Sequence, residues 1–323
     1  MSNSPFLSNC TADTIRHAAA ALKAGHLVAF PTETVYGLGV DARNADAVKR
    51  IYQVKGRPAD HPLIVHISSI NQLEKWAIEI PEYAISLARV FWPGPMTLIL
   101  KRTNIACDFI TGGQDTVGLR VPSDPIALAL IKEFEKISDS AIAAPSANRF
   151  GQVSPTSSSD VLDDLGEFLS EFDLILEGGN SSIGIESTIV DCTSELPRIL
   201  RNGAVTKEDI ERELGTFSAG VEASSKIKFS GSFDKHYAPK CKVIIGNEAS
   251  EDSGFLALSK IDTPVGLVRL ASPATVEEFA RILYSIFRAA DRRGLTTLAV
   301  CPPIDHPLAV AILERLQKAA RGR

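Results

Sequence analysis

The spacing of apolar and polar positions divides the chain into short helices and strands that mix without a regular period. Residues 11–24 predict a helix stopped by Gly25, and "HLVAF" predicts a strand. A second helix is expected over 44–55, where Val48, Ile51 and Tyr52 make one apolar face and Gly56 serves as the cap. "PLIVHI" reads as a strand. "EYAISLARVF" reads as a helix, terminated by Trp92, Pro93, Gly94 and Pro95. "MTLIL", "TVGLRV", "AIAAP", "DLILE", "STIVD" and "RILR" are short strands bounded mostly by Gly, Pro, Ser or Asp, with helices expected over 125–137 and 158–165. The result is a mixed α/β fold, too rich in short strands for simple βαβ alternation.

The texture changes after Gly203. "TKEDIERELG" predicts a helix, and "TFSAGVEASSKIKFSGSFDKHYAPK" lacks apolar periodicity and reads as a linker. From Cys241 the pattern restarts with strands "KVIIG", "FLALS", "VGLVRL" and "LTTLAV" and helices over 275–293 and 307–320. Three units follow: 1–205, a helix and linker over 206–240, and a small α/β layer with parallel strands over 241–323. A unit of about 80 residues has a modest core, so the last is expected to lean on the first.

Composition changes this picture little. Of 323 residues, 45% are hydrophobic and 23% charged, as in an ordinary globular protein. No apolar run reaches the ~18 residues of a membrane span, and "MSNSPFLSNCTAD" has no signal-peptide pattern. A cytoplasmic protein, with no membrane partner, is expected. The five cysteines form no C-x-x-C pair and read as reduced core residues. A net charge of −5 argues against coating nucleic acid by global charge, while leaving room for a local basic groove.

The chemistry-bearing stretches are few. "GLGVDA" loosely matches a dinucleotide pattern, but the preceding strand stops at Pro31, so it reads as a loop needing unusual backbone angles. Lys55 and Arg57 flank Gly56 at a helix end; they compensate the helix dipole or clamp an anion. His66 lies in an apolar strand, either as a satisfied core histidine or facing a pocket. Arg120 lies in another and needs a partner or a ligand. "APSANRFGQVSPT" is dense in small and hydroxyl side chains, which suits backbone contact with an anion. Ser187, Thr188 and Arg201 follow in "ESTIVD" and "RILRNGAV". No nucleophile elbow, catalytic triad or metal-ligand spacing is present in these motifs.

Taken in order, "FPTETVYGLGVDA", "KGRP…HPLIVH", "TVGLRVPS", "APSAN…G…SPT", "ESTIVD" and "ILRNG" resemble the threonylcarbamoyl-AMP synthase (YrdC-type) family, and "SGSFDKHYAPK" before a small α/β unit resembles its long, two-domain branch. The resemblance implies a YrdC-like twisted mixed sheet with helices and a concave basic groove, plus a Rossmann-like C-terminal domain. It implies a nucleotidyltransferase that converts L-threonine, bicarbonate and ATP to threonylcarbamoyl-AMP and pyrophosphate. Mg²⁺ would arrive with the ATP. A transferase would take the product transiently for tRNA modification. By the same resemblance, Thr34, His66, Arg120, Ala144 and Ser187 surround threonine. Lys55, Arg57, His61, Thr116, Ser146, Asn148, Ser154, Arg201, His236 and Tyr237 face ATP, with Lys55 and Arg57 neutralising phosphate. His61 stands where the family usually has Asn, and Ser230 where Pro is common. The rival readings are an RNA-binding protein, a regulatory nucleotide-binding module, and a carbamoyltransferase of hydrogenase maturation, whose zinc-finger cysteine pairs this chain lacks.

Overall fold

Local signals set the ends of most elements of the computed structural model, which describes residues 7–215, 227–231 and 236–322. In chain order these are β1 (Leu7–Asn9), α1 (Ala12–Lys23), β2 (Val28–Phe30), β3 (Gly37–Asp41), α2 (Ala45–Lys55), β4 (Ile64–His66), α3 (Leu73–Trp76), β5 (Ala77–Ile78), α4 (Glu82–Phe91), β6 (Met96–Arg102), α5 (Asp108–Thr111), β7 (Thr116–Arg120) and α6 (Pro125–Ile137). Then come β8 (Ile142–Ala144), α7 (Ser158–Leu165), β9 (Leu174–Glu177), β10 (Thr188–Asp191), β11 (Arg198–Arg201) and α8 (Lys207–Leu214). The chain continues with β12 (Lys242–Ile245), β13 (Gly254–Leu256), β14 (Val268–Ala271), α9 (Val276–Arg292), β15 (Thr297–Val300) and α10 (Ala309–Ala320). Thr11 caps α1, and Asp124 caps α6 ahead of a first-turn proline. Asn44 caps α2 by accepting from the Ala47 N–H, and Gly56 closes it in the left-handed conformation (φ 60°).

Among the described residues, β1 to β11 form one mixed sheet in the order β1-β9-β2-β3-β8-β4-β7-β6-β10-β11, with β5 on β6. Leu38, Val65, Leu98 and Leu119 pack with Val48 and Ile51 of α2 and Leu87 of α4. Val28, Phe30 and Ile142 pack with Leu22 of α1 and with Leu130 and Phe134 of α6. Helices thus cover both faces of the sheet.

The reading of "GLGVDA" as a loop is corrected: Gly37–Asp41 is strand β3, paired antiparallel to β2 and β8, and neither glycine has a positive φ. Its glycines answer a packing need. A Cβ on Gly39 would lie 2.8 Å from Ile142 Cγ2 and 2.9 Å from the Phe30 ring. Side-chain room, not backbone freedom, excludes larger residues there. The short elements α3, β5 and α5 carry too few residues to show a period.

Strands β12 to β15 make a second, fully parallel sheet in the order β12-β15-β13-β14. Its core is shared: Val35, Val153, Ile185 and Tyr237 join Phe279, Leu283, Tyr284 and Phe287 of α9 and Ile312 and Leu316 of α10 in one buried cluster. The expected leaning is therefore observed. Of the linker, residues 216–226 and 232–235 lie outside the described residues. None of the five cysteines forms a disulfide, but only Cys192 and Cys241 are buried, which corrects the expectation of five core cysteines. No described helix is long and apolar enough to cross a membrane.

Candidate active site

A cleft of about 540 Å³, partly continuous with solvent, opens between the first sheet with its loops and the linker. Parallel pairing of β4 and β7 sets His66 beside Arg120 at the strand ends. Between β2 and β3 the chain turns sharply: Thr32 Oγ1 donates to the Val35 carbonyl at 2.6 Å and lies 2.9 Å from Thr34 Oγ1. The turn is stitched to the Ser-rich segment, since the Tyr36 N–H donates to the Pro155 carbonyl and the Ala147 N–H to that of Tyr36. Ser146 and Ala144 line the cleft from that segment, as Thr34, His66, Arg120 and Ser187 do from theirs.

Two guanidinium groups also line the cleft. Arg57 Nη2 donates to the Pro62 carbonyl at 2.9 Å and to Ser230 Oγ at 3.3 Å, while its buried Nε has no partner among the described residues. Arg201 grips Ser187 through Nε to the carbonyl and Nη2 to Oγ, both at 3.0 Å, and its Nη1 donates to the Ser230 carbonyl at 2.8 Å. Burial pushes Arg57 down to about 10, and Arg201 beside it adds to the fall. Burial likewise lowers Arg201. Two crowded, desolvated cations are a site prepared for an anion.

The remaining groups are tied or turned inward. Arg120 Nη2 donates to Glu33 Oε1 at 2.7 Å, and both side chains are buried, while Glu33 Oε2 has no partner among the described residues. His66 pairs Nδ1 with the Ile64 carbonyl at 3.1 Å; burial and then Arg120 hold its pKa down to about 3, so the ring is neutral. From the linker, His236 and Tyr237 close the cleft edge-to-face, their centroids 4.0 Å apart. His236 Nδ1 and the Tyr237 hydroxyl are buried without partners among the described residues. Tyr237 sits at φ 62°, a strained position for a non-glycine.

Several expected residues stand elsewhere. Lys55 does not line the cleft; it lies behind the cleft wall, fully buried, with Nζ donating to the carbonyls of Ser146, at 2.6 Å, and Asn148. Its pKa falls well below normal through burial, then Arg57. Asn148 is a loop brace: its Nδ2 donates to the Arg149 and Gln152 carbonyls, and its Oδ1 accepts from Ser146 Oγ at 2.6 Å. Ser154 is buried on Glu186 at 2.6 Å. His61 packs edge-on against Phe150 at 5.6 Å, and Thr116 begins β7 opposite Lys101; neither lines the cleft.

Sequence reasoning missed Glu186, the one acidic side chain lining the cleft among the described residues. It also missed the two residues that reach it from the C-terminal unit, Tyr284 and Arg315. A signal existed: Arg315 sits on the apolar stripe of α10 with Ile312, Leu316 and Ala319, where a charge needs a buried partner.

The family model described as "Telomere recombination" matches residues 20–203. One described as "Threonylcarbamoyl-AMP synthase, C-terminal domain" matches residues 205–321. The chain is similar to the threonylcarbamoyl-AMP synthase of Pyrococcus abyssi, at 41% identity over 96% of this chain and 94% of the relative. It is similar to that of Bacillus subtilis at 39% identity over 96% and 93%. The crystal structure of P. abyssi Sua5 complexed with L-threonine matches with a TM-score of 0.83 at 38% identity, covering 98% of each chain. A P. abyssi Sua5 variant with a histidine and the adjacent tyrosine replaced by alanine matches with a TM-score of 0.86 at 37% identity, covering 98% of this chain and 97% of that one.

Proposed function

Since the chain belongs to the threonylcarbamoyl-AMP synthase family, we propose that it is a nucleotidyltransferase joining L-threonine, bicarbonate and ATP into threonylcarbamoyl-AMP and pyrophosphate. The observation that carries this reading is the convergence of Arg57 and Arg201 on Ser230 beside a small polar pocket of Thr34, His66, Arg120 and Ser187. One wall suits a triphosphate and the other a small amino acid. The P. abyssi complex with L-threonine supports the second assignment.

The threonine amine adds to CO2 derived from bicarbonate, releasing a proton and forming a carbamate. A carbamate oxygen attacks the α-phosphorus of ATP, and pyrophosphate leaves. The step needs orientation and neutralised charge more than a strong base. Arg57 and Arg201 meet the phosphates. Arg120, shared with Glu33, meets the threonine carboxylate, and neutral His66 and Thr34 meet its polar groups. Among the described residues no group of three or more His, Cys, Asp or Glu is arranged to hold a metal, and Glu33 and Glu186 are committed to arginines. In this reading Mg²⁺ enters with ATP as part of the substrate. Residues 1–205 form the catalytic unit in this reading, 206–240 a helix and lid, and 241–323 a supporting unit. The labile product passes to a transferase that modifies tRNA.

The test is pyrophosphate release with ATP, Mg²⁺, bicarbonate and single amino acids. Release that requires both L-threonine and bicarbonate is expected. Folded protein that binds ATP but releases nothing with any amino acid favours a regulatory nucleotide-binding or RNA-binding role instead.

A further inference from the structure

We propose that Arg315 of the C-terminal unit is a positioning residue of the active site: together with Tyr284 it holds and neutralises Glu186, leaving Arg57 and Arg201 to the triphosphate of ATP. The proposal rests on the synthase reading.

Glu186 is an anion on a wall expected to receive an anion. Its neighbours resolve the conflict. Arg315 Nε donates to Oε2 at 3.1 Å, Tyr284 OH to Oε2 at 2.9 Å, and Ser154 Oγ to Oε1 at 2.6 Å. Arg315 is fully buried, so its charge is directed inward. Its guanidinium also faces the Tyr237 ring, 5.6 Å from the centroid, and Glu314 Oε2 at 3.5 Å. The electrostatics agree. Burial alone would raise the Glu186 pKa, yet Arg315, followed by Arg201, holds it down to about 2. Remove Arg315 and Arg201 becomes the principal counter-charge for Glu186. The same arginine cannot then serve the phosphates fully.

Helix α10 braces the cleft at two further points on the same face. Glu314 accepts from the Asn202 N–H at 3.3 Å and from Asn202 Nδ2 at 3.2 Å, just past Arg201. Lys318 Nζ donates to the Gly231 carbonyl, on the linker beside the Tyr237 hydroxyl. A salt bridge that merely joined two domains would have no reason to centre on a carboxylate lining the cleft.

The experiment uses the full-length chain and measures melting temperature, ATP affinity by calorimetric titration, and KM for ATP and for threonine. Arg315→Met is expected to weaken ATP binding and raise the ATP KM by roughly tenfold or more, with threonine KM within about twofold. Tyr284→Phe is expected to shift ATP affinity the same way by roughly threefold. The double variant Glu186→Gln/Arg315→Met removes the anion along with its partner, and ATP affinity should return to near that of the wild type. A simple domain brace predicts the opposite: a lower melting temperature, unchanged ATP affinity, and no rescue by Glu186→Gln. Those results overturn the proposal. If Arg315→Met does not fold, the double variant and Tyr284→Phe decide, and unaltered ATP affinity in Tyr284→Phe overturns it. Wild-type protein without threonine-dependent pyrophosphate release overturns the synthase reading instead, whereas the ATP titrations judge Arg315 separately.

Discussion

Lys55 and Arg57 are two residues apart and do different work. The Arg57 guanidinium lines the cleft with a free Nε, whereas the Lys55 ammonium is spent on two backbone carbonyls behind it. Their variants should separate by readout. Arg57→Ala is expected to lower pyrophosphate release by at least roughly a hundredfold, because a cleft-facing phosphate contact is lost, with a smaller change in melting temperature than Lys55→Met. Lys55→Met keeps the stem but leaves two buried carbonyls unpaired, so it should cost about 1–3 kcal/mol of stability. A Lys55→Met protein with an unchanged melting temperature and a raised ATP KM would return Lys55 to the phosphates. The sequence showed both charges at the end of a helix. It did not show which of them turned inward, because that depends on where residues 144–148 come to rest.

At the scale of elements, the linker segment is anchored before it reaches the cleft. Lys228 exchanges backbone bonds with the Gln114 side chain at 2.6 and 3.0 Å, and its Nζ meets Asp60 at 2.6 Å. Phe229 lines a small apolar cavity with Pro62, Ile64, Ile99, Gly118 and Ile189. Ser230 then bridges Arg57 and Arg201, and Tyr237 closes the far side. In the synthase reading, a lid pinned this way would keep water from a reactive mixed anhydride. Phe229→Ala and Tyr237→Ala are both expected to raise free AMP relative to threonylcarbamoyl-AMP while the fold survives. A product ratio equal to that of the wild type in both would remove the lid from the mechanism.

Across the whole molecule, buried ionisable groups couple stability to pH. Burial holds His66 and His236 down to about 3, against an ordinary value of 6.5. Both remain neutral in the fold while the unfolded chain takes up protons below pH 6.5, so stability falls as pH drops from 6.5 toward 3. Glu186, held to about 2 against 4.5, adds a further loss between those values. At pH 5 the two histidines together should cost roughly 4 kcal/mol relative to pH 7.5. Urea midpoints at the two pH values check this. His236→Gln should flatten the slope by about one proton's worth, and an unaltered slope would place His236 in water.

By itself, the sequence determined the local elements: caps such as Asn44 and Gly56, apolar stripes and strand-breaking prolines act within a few residues, and most predicted segments appear where expected. It also carried the ordered motifs that mark the family. Tertiary structure alone decided which charges meet. Glu186 and Arg315 lie 129 positions apart and touch at 3.1 Å. Glu33 finds Arg120 across 87 positions. "GLGVD" became a strand by pairing with β2 and β8, and its glycines leave room for Phe30 and, at Gly39, Ile142. The physical reason is range: propensity and capping are short-range terms, whereas the desolvation and pairing of a buried charge depend on every element packed around it.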